Sequence, residues 1–227
     1  MPQASGQVGD VGDVARFFDN MYGSSDRYWW QKPERHSPDP NDYPASLLTQ
    51  LTLRLLADRP SGRALDLGAG EGADAIRLAL MGYEVHAVEI SKIGADKILA
   101  FADEAGTSVS AEAADIREYE PDGTFDVVIC NGVLHYIAEK RQVVRTMQQA
   151  TRRGGLNVIS LWSTYTPVPE CHKKVPVYCD EEDGIVRRLY QGWPTEFIYL
   201  DRAKPESSHC GMPDHAHSHI KMISRKP

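Results

Sequence analysis

The stretch ALDLGAGEG, residues 64–72, decides the fold: a short apolar strand runs into Gly68, Gly70 and Gly72, with an acid, Asp66, just before them. Small residues in such a bend let the backbone turn tightly and approach a ligand where a Cβ would collide. The spacing is G-x-G-x-G, whereas dinucleotide sites use G-x-G-x-x-G to seat a pyrophosphate on a helix N-terminus. A carboxylate beside the bend suits a ligand that carries positive charge.

Working outward from this bend, short apolar strands alternate with helical segments. The glycines open a helix over EGADAIRLALMG (71–82), which stops at Gly82. YEVHAVEI (83–90) is a second strand, and Ser91 is the N-cap of a helix through Ala105. SVSAEAA (108–114) is a weaker third strand, and FDVVICN (125–131) is a fourth, apolar enough to be buried on both faces. A helix over 139–151, stopped by Gly154 and Gly155, leads to a fifth strand, LNVISLW (156–162). Before the bend, Leu47, Leu48, Leu51, Leu55 and Leu56 recur at helical spacing over 45–58. Such βαβα order predicts an α/β, Rossmann-like, doubly wound three-layer sandwich whose ligands sit beyond the carboxyl ends of the strands.

Three acids stand at successive strand ends: Asp66, Glu89 and Asp115. An acid at the position of Glu89 can accept both hydrogen bonds of a ribose diol. Asp115 can bond an adenine amino group while the backbone of Ile116 reads the ring edge. Together with the glycine bend they point to an adenosine-type ligand.

Bulk properties narrow the class. The 227 residues suit one domain, read as 13–227, with a disordered 1–12 and an aromatic arm or lid over 13–58. A net charge of -7 argues against nucleic acid as the partner. No apolar run approaches the roughly 20 residues that span a bilayer, and the N-terminus lacks a signal-peptide pattern. Four cysteines without a CxxC pair suit a reducing cytoplasm. These features predict a cytoplasmic protein with no nucleic-acid or membrane partner; the oligomeric state stays open.

LDLGAGEG (65–72), VEIS (88–91), AADI (113–116) and FDVVICNGVLHYI (125–137) resemble the successive motifs of class I S-adenosylmethionine-dependent methyltransferases. GGLNVIS (154–160), EEDGIVRRLYQGW (181–193), a His-bearing loop and the terminal MISRKP extend the resemblance to the bacterial tellurite-resistance (TehB-like) family, over roughly residues 43–227. The resemblance implies S-adenosylmethionine as cofactor and a mostly parallel seven-stranded sheet ordered 3-2-1-4-5-7-6 with strand 7 antiparallel. It places the cofactor at Asp66, Gly68, Ala69, Gly70, Glu89, Ile90, Asp115, Ile116, Asn131 and Gly132. The chain departs from the family in its longer, Trp- and Tyr-rich arm and in the loop SSHCGMPDHAHSH (207–219).

Both departures bear on the acceptor. His135, just past the fourth strand, and His209, in the final loop, are the candidate proton acceptors for a hydroxyl, amine or thiol. Trp29, Trp30, Tyr43, Trp162 and Cys210 are the candidate acceptor-side residues. His215, His217 and His219 recur every second residue on one strand face, yet lack the Cys/His pairs of established zinc sites, so no metal is assigned. The leading expectation is methyl transfer by direct displacement to a small-molecule acceptor, either a specialised metabolite or a soft S, Se or Te nucleophile. The rivals are a tRNA or protein methyltransferase and a non-catalytic S-adenosylmethionine- or metal-binding sensor.

Overall fold

Successive residues of a strand point to opposite faces, and the central strands here bury both. Val127 and Ile129 join one core cluster with Ala64, Val158, Ile76 and Ile98, while Val128 and Cys130 join the other with Leu65, Leu67, Val143 and Met147. Two apolar layers flanking one sheet are what the continuous run FDVVIC demands. The computed structural model describes residues 11–27, 43–208 and 213–227.

The elements follow in the order α1 (Val11–Gly23), α2 (Leu47–Leu55), β1 (Gly62–Leu67), α3 (Ala73–Leu80), β2 (Tyr83–Glu89), α4 (Lys92–Glu104), β3 (Ser110–Ala113), β4 (Phe125–Asn131), α5 (Lys140–Ala150), β5 (Thr151–Trp162), α6 (Ile185–Leu189), β6 (Thr195–Glu206) and β7 (His215–Arg225). The seven strands form one sheet in the order β3-β2-β1-β4-β5-β7-β6. Pairing is parallel from β3 through β5, and β7 is antiparallel to both β5 and β6. The expected three-layer architecture and strand order are therefore the observed ones. α2, α3 and α4 supply one outer layer, and α5 with α6 the other. Among the described residues, no helix is long and apolar enough to cross a membrane.

Two local expectations change. Gly154 and Gly155 do not stop α5: the helix ends at Ala150 and β5 begins at Thr151. The glycines lie where β5 shifts register against β4 between Phe125 and Val127, and a Cβ at 155 would come within 2.8 Å of the Asp126 carbonyl oxygen. The segment read as disordered over 1–12 includes Val11 and Gly12, which open α1; the remainder of it lies outside the described residues.

α1 has an apolar stripe and uses it. Phe18 and Tyr22 stack with centroids 6.1 Å apart, and Phe18 meets Tyr136 edge-on at 5.3 Å. Tyr22 is 6% exposed. The helix thus bridges the glycine bend and the turn after β4, covering the carboxyl end of the sheet.

Candidate cofactor and acceptor site

The bend after β1 is shaped by what surrounds it. Gly68 and Gly70 hold φ values of 77° and 60°, in the left-handed region where side chains are strained. A Cβ on Gly68 would lie 2.3 Å from Val133 Cγ2, and one on Gly70 3.0 Å from the Tyr22 hydroxyl. Only bare backbone fits between β1, the turn after β4 and α1.

Asp66, Asp74 and Glu89 gather beneath this bend, 3%, 8% and 4% exposed. Glu89 accepts hydrogen bonds from the Gly70 N–H at 2.8 Å and the Ser91 N–H at 3.1 Å. Burial raises the Glu89 carboxyl from 4.5 to about 7, against the lowering effect of those backbone donors. Burial, then the charges of Asp74 and Glu89, push Asp66 well above the ordinary carboxylate range. Among the described residues no Lys or Arg forms an ion pair with Asp66, Asp74 or Glu89. Such a cluster is electrostatically unfavourable alone, and a cation or hydroxyl donors placed there would relieve it.

The other cofactor candidates also lie at strand ends, with partners that sequence reasoning did not anticipate. The Asn131 amide donates to Asp74 at 2.8 Å and accepts from the Ser160 hydroxyl at 2.6 Å, so it is held rigidly across β4 and β5. Asp74 also accepts from the Ser46 N–H at 2.7 Å, tying α2 to α3. Asp115 takes Arg117 Nε on both oxygens, at 3.0 and 2.9 Å. Burial works to raise the Asp115 carboxyl, but the Arg117 guanidinium overrides it and the net shift is downward. An adenine amino group would share that carboxylate with Arg117. Ile116 is 6% exposed within the α5-side core, Ala69 packs against the other core, and Ile90 is half-buried beside Glu89. Gly132 donates to Ser160 O at 2.9 Å, and a Cβ there would meet nothing within 4 Å, so this turn borders open space.

Two clasps join the arm to this site, and neither was signalled by a motif. Asp19 on α1 accepts from the Ser91 hydroxyl at 2.6 Å and the Ile93 N–H at 3.2 Å, reinforcing the N-terminus of α4. Lys97 Nζ donates to the carbonyls of Tyr22 and Ser25, each at 2.6 Å, and to Glu71 Oε1 at 2.8 Å. Glu71 is fully buried, so this lysine neutralises an acid of the bend while holding the end of α1.

Among the acceptor-side candidates, His135 is 2% exposed on a turn over Leu134–Tyr136. Its Nδ1 accepts from the Trp162 N–H at 3.4 Å, and its Nε2 has no hydrogen-bond partner among the described residues. Burial, with the nearby His219 and His217, lowers its pKa well below 6.5, so the imidazole is neutral. Trp162 stacks on His135 at 4.0 Å and on His217 at 4.2 Å, with interplanar angles of 13° and 17°. Its ring faces are occupied, so Trp162 builds the wall of the site and offers no free face to an acceptor. Tyr43 is partly buried against the core containing Leu48 and Ile76. Trp29, Trp30, His209 and Cys210 lie outside the described residues. A groove of about 690 Å³ lined by His86, Ser110, Glu112, Asp115 and Tyr119 touches this site only through Asp115.

A family model described as "Methyltransferase domain" matches residues 41–226. A ubiquinone biosynthesis O-methyltransferase of Rickettsia prowazekii is 33% identical over 96 residues, which cover 42% of this chain and 38% of that protein. The chain spans less than half the length of the curated relatives it matches first. TehB from Haemophilus influenzae shares the fold at a TM-score of 0.68 and 17% identity, over 82% of this chain and 65% of that one. The N-methyltransferase NodS from Bradyrhizobium japonicum, solved with S-adenosyl-L-homocysteine, does so at 0.62 and 18%, over 92% and 100%.

Proposed function

The chain belongs to the methyltransferase domain family, and from that premise we propose that it binds S-adenosylmethionine at the carboxyl end of β1–β4 and methylates a small-molecule acceptor by direct displacement. One observation carries the reading: Asp66 and Glu89 are buried without a cationic partner among the described residues, beneath a bend that admits only bare backbone. Bound there, S-adenosylmethionine supplies an electrophilic methyl group on a sulfonium. The donor set fits it. Asp66 answers the ammonium group, Glu89 accepts from the ribose hydroxyls, and Asp115 with the Ile116 backbone receives the adenine edge. Asn131, clamped between Asp74 and Ser160, fixes the turn that carries Gly132 to the cleft. α1 lies over the bend and excludes water, which strengthens each of these contacts.

His135 presents an unpartnered Nε2 beyond the β4 end. With Nδ1 accepting from the Trp162 N–H, the neutral ring carries its proton on Nε2, which faces the cleft as a hydrogen-bond donor, and the ring takes up a further proton poorly. This favours a nucleophile that needs little base assistance, such as a thiol, another soft chalcogen or a phenol, over an aliphatic alcohol. His209 is retained as an acceptor-side candidate on the resemblance, and Cys210 on its place next to it in the final loop. The net charge of -7 weighs against an RNA acceptor. The reading is tested by methyl uptake from labelled cofactor across a panel of thiols, selenite, tellurite, phenols and amines. Labelled product from at least one member, lost in Asp66→Asn, supports it. A folded protein that binds the cofactor yet methylates nothing in the panel and no small-molecule extract would move it to the sensor class.

A further inference from the structure

His172 and Glu206 alter the meaning of the alternating histidines. Glu206 stands opposite His215 in the β6–β7 pairing, and His217 follows on the same strand face. His172, on a turn over Glu170–His172, reaches the same point from the β5–α6 connection. We propose that Glu206, His215 and His217 form a three-ligand binding site for a divalent transition metal of the Zn2+ class, with His172 against His215 at its rim.

Distances support this assignment. Donors bound to Zn2+ at 2.0–2.2 Å in tetrahedral geometry lie about 3.3–3.6 Å from one another. His172 Nε2 and His215 Nε2 are 3.2 Å apart, and Glu206 Oε2 lies 3.7 Å from His215 Nε2 and 4.0 Å from His217 Nε2. A few tenths of an ångström of side-chain movement brings the two Glu206 separations to bonding values. The ligating atoms of Glu206, His215 and His217 all fall within 4.8 Å of one another, as do those of Cys171, His172 and His215. Cys171 therefore stands beside the shell as a thiol reserve.

The tautomer is arranged for a metal as well. His215 Nδ1 lies 2.7 Å from the Pro213 carbonyl oxygen, a contact that requires an N–H at Nδ1. In the neutral ring this turns the Nε2 lone pair toward the cluster, the outer-sphere pattern that orients metal-binding histidines. The His215 and His217 side chains are each 4% exposed, and Glu206 is 20% exposed. The site is thus enclosed by protein with one acidic edge near solvent. Trp162 stacks between His217 and His135, so the ion would sit one indole ring away from the acceptor-side histidine. His219, two residues further, belongs to neither donor group. None of this geometry depends on what occupies the glycine bend.

The test uses the full-length, tag-free protein, stripped with a chelator and titrated with Zn2+ in competition with a chromophoric indicator. One Zn2+ per chain is expected, and Glu206→Gln, His215→Ala and His217→Ala should each weaken binding at least tenfold. Circular dichroism of each variant checks that the fold is retained. Cobalt substitution should give visible ligand-field bands that disappear in His217→Ala. His209→Ala/Cys210→Ala should bind like the parent protein. Absence of stoichiometric binding by the folded, stripped protein would overturn the proposal, as would unchanged affinity in folded His215→Ala, or loss of the ion in the His209/Cys210 variant.

Discussion

Cofactor affinity should depend on pH through Glu89. In the ligand-free protein burial holds this carboxyl at about 7, so it is near half-protonation at neutral pH. Ribose hydroxyls donate to the ionised form, and a sulfonium nearby favours it further, so binding should expel the proton. Suppressing a pKa of about 7 on binding makes affinity rise about tenfold between pH 6 and pH 8. The same shift acts on folding. A carboxyl raised above its unfolded value stabilises the native state below pH 4.5, and that contribution is lost as pH rises through 7. From 4.5 to about 7 it amounts to about 3 kcal/mol. The free protein should therefore lose thermal stability from pH 5 to pH 8 and regain it with the cofactor. Isothermal titration calorimetry in phosphate and in Tris measures both the affinity and the released proton. Asp66 is raised too and adds to the slope in the same direction, so Glu89→Gln should flatten the profile without abolishing it. An affinity that is flat or falls from pH 6 to pH 8, or an unchanged slope in Glu89→Gln, would refute the reasoning.

Three other perturbations isolate separate parts of the structure. Gly70→Ala combines left-handed strain of about 1–2 kcal/mol with a contact on the Tyr22 hydroxyl; it should lower cofactor affinity at least tenfold. Gly106→Ala, with similar φ but open space around it, should lower only the melting temperature, as paired melts and binding assays would show. Lys97→Met removes an ion-pair partner of the fully buried Glu71 and frees the end of α1. Denaturant melts should show a loss of about 2 kcal/mol or more from the charge-assisted hydrogen bonds of Lys97, and limited proteolysis should cut α1 faster. Asp180, 7% exposed, accepts the Ile185 and Val186 N–H groups at 3.1 and 3.0 Å at the start of α6. Asp180→Ala should cost about 1–2 kcal/mol, read as a fall in melting temperature at constant cofactor affinity.

The fold was legible because the apolar runs are short, bounded by glycines and carried on both faces of the strands. FDVVICN spans β4 with the expected ends, and Ser91 caps α4 by accepting from the Gly94 N–H at 3.0 Å. Glycine was misread at 154–155 because a helix stop and a strand bulge use the same residue for the same conformational reason. The positions of Asp66, Glu89 and Asp115 were legible because each lies in the last two residues of a short apolar strand or just beyond it. Asp74, Asp19, Lys97 and Arg117 were not. Their roles arise from helix faces that meet in three dimensions, and nothing in their sequence spacing records the meeting. His135 shows the limit of position alone: its place after β4 was readable, whereas its burial against Trp162 depends on β5, β7 and the β5–α6 connection. The same limit hid Glu206 and His172 from the histidine run.

The most direct test of the account is equilibrium dialysis of the purified protein against methyl-labelled S-adenosylmethionine. One molecule should bind per chain, be displaced by S-adenosylhomocysteine but not by a nicotinamide dinucleotide, and be lost in folded Asp66→Asn. No saturable binding, or displacement by the nicotinamide dinucleotide, would contradict the claim that these buried carboxylates are built for an adenosyl sulfonium.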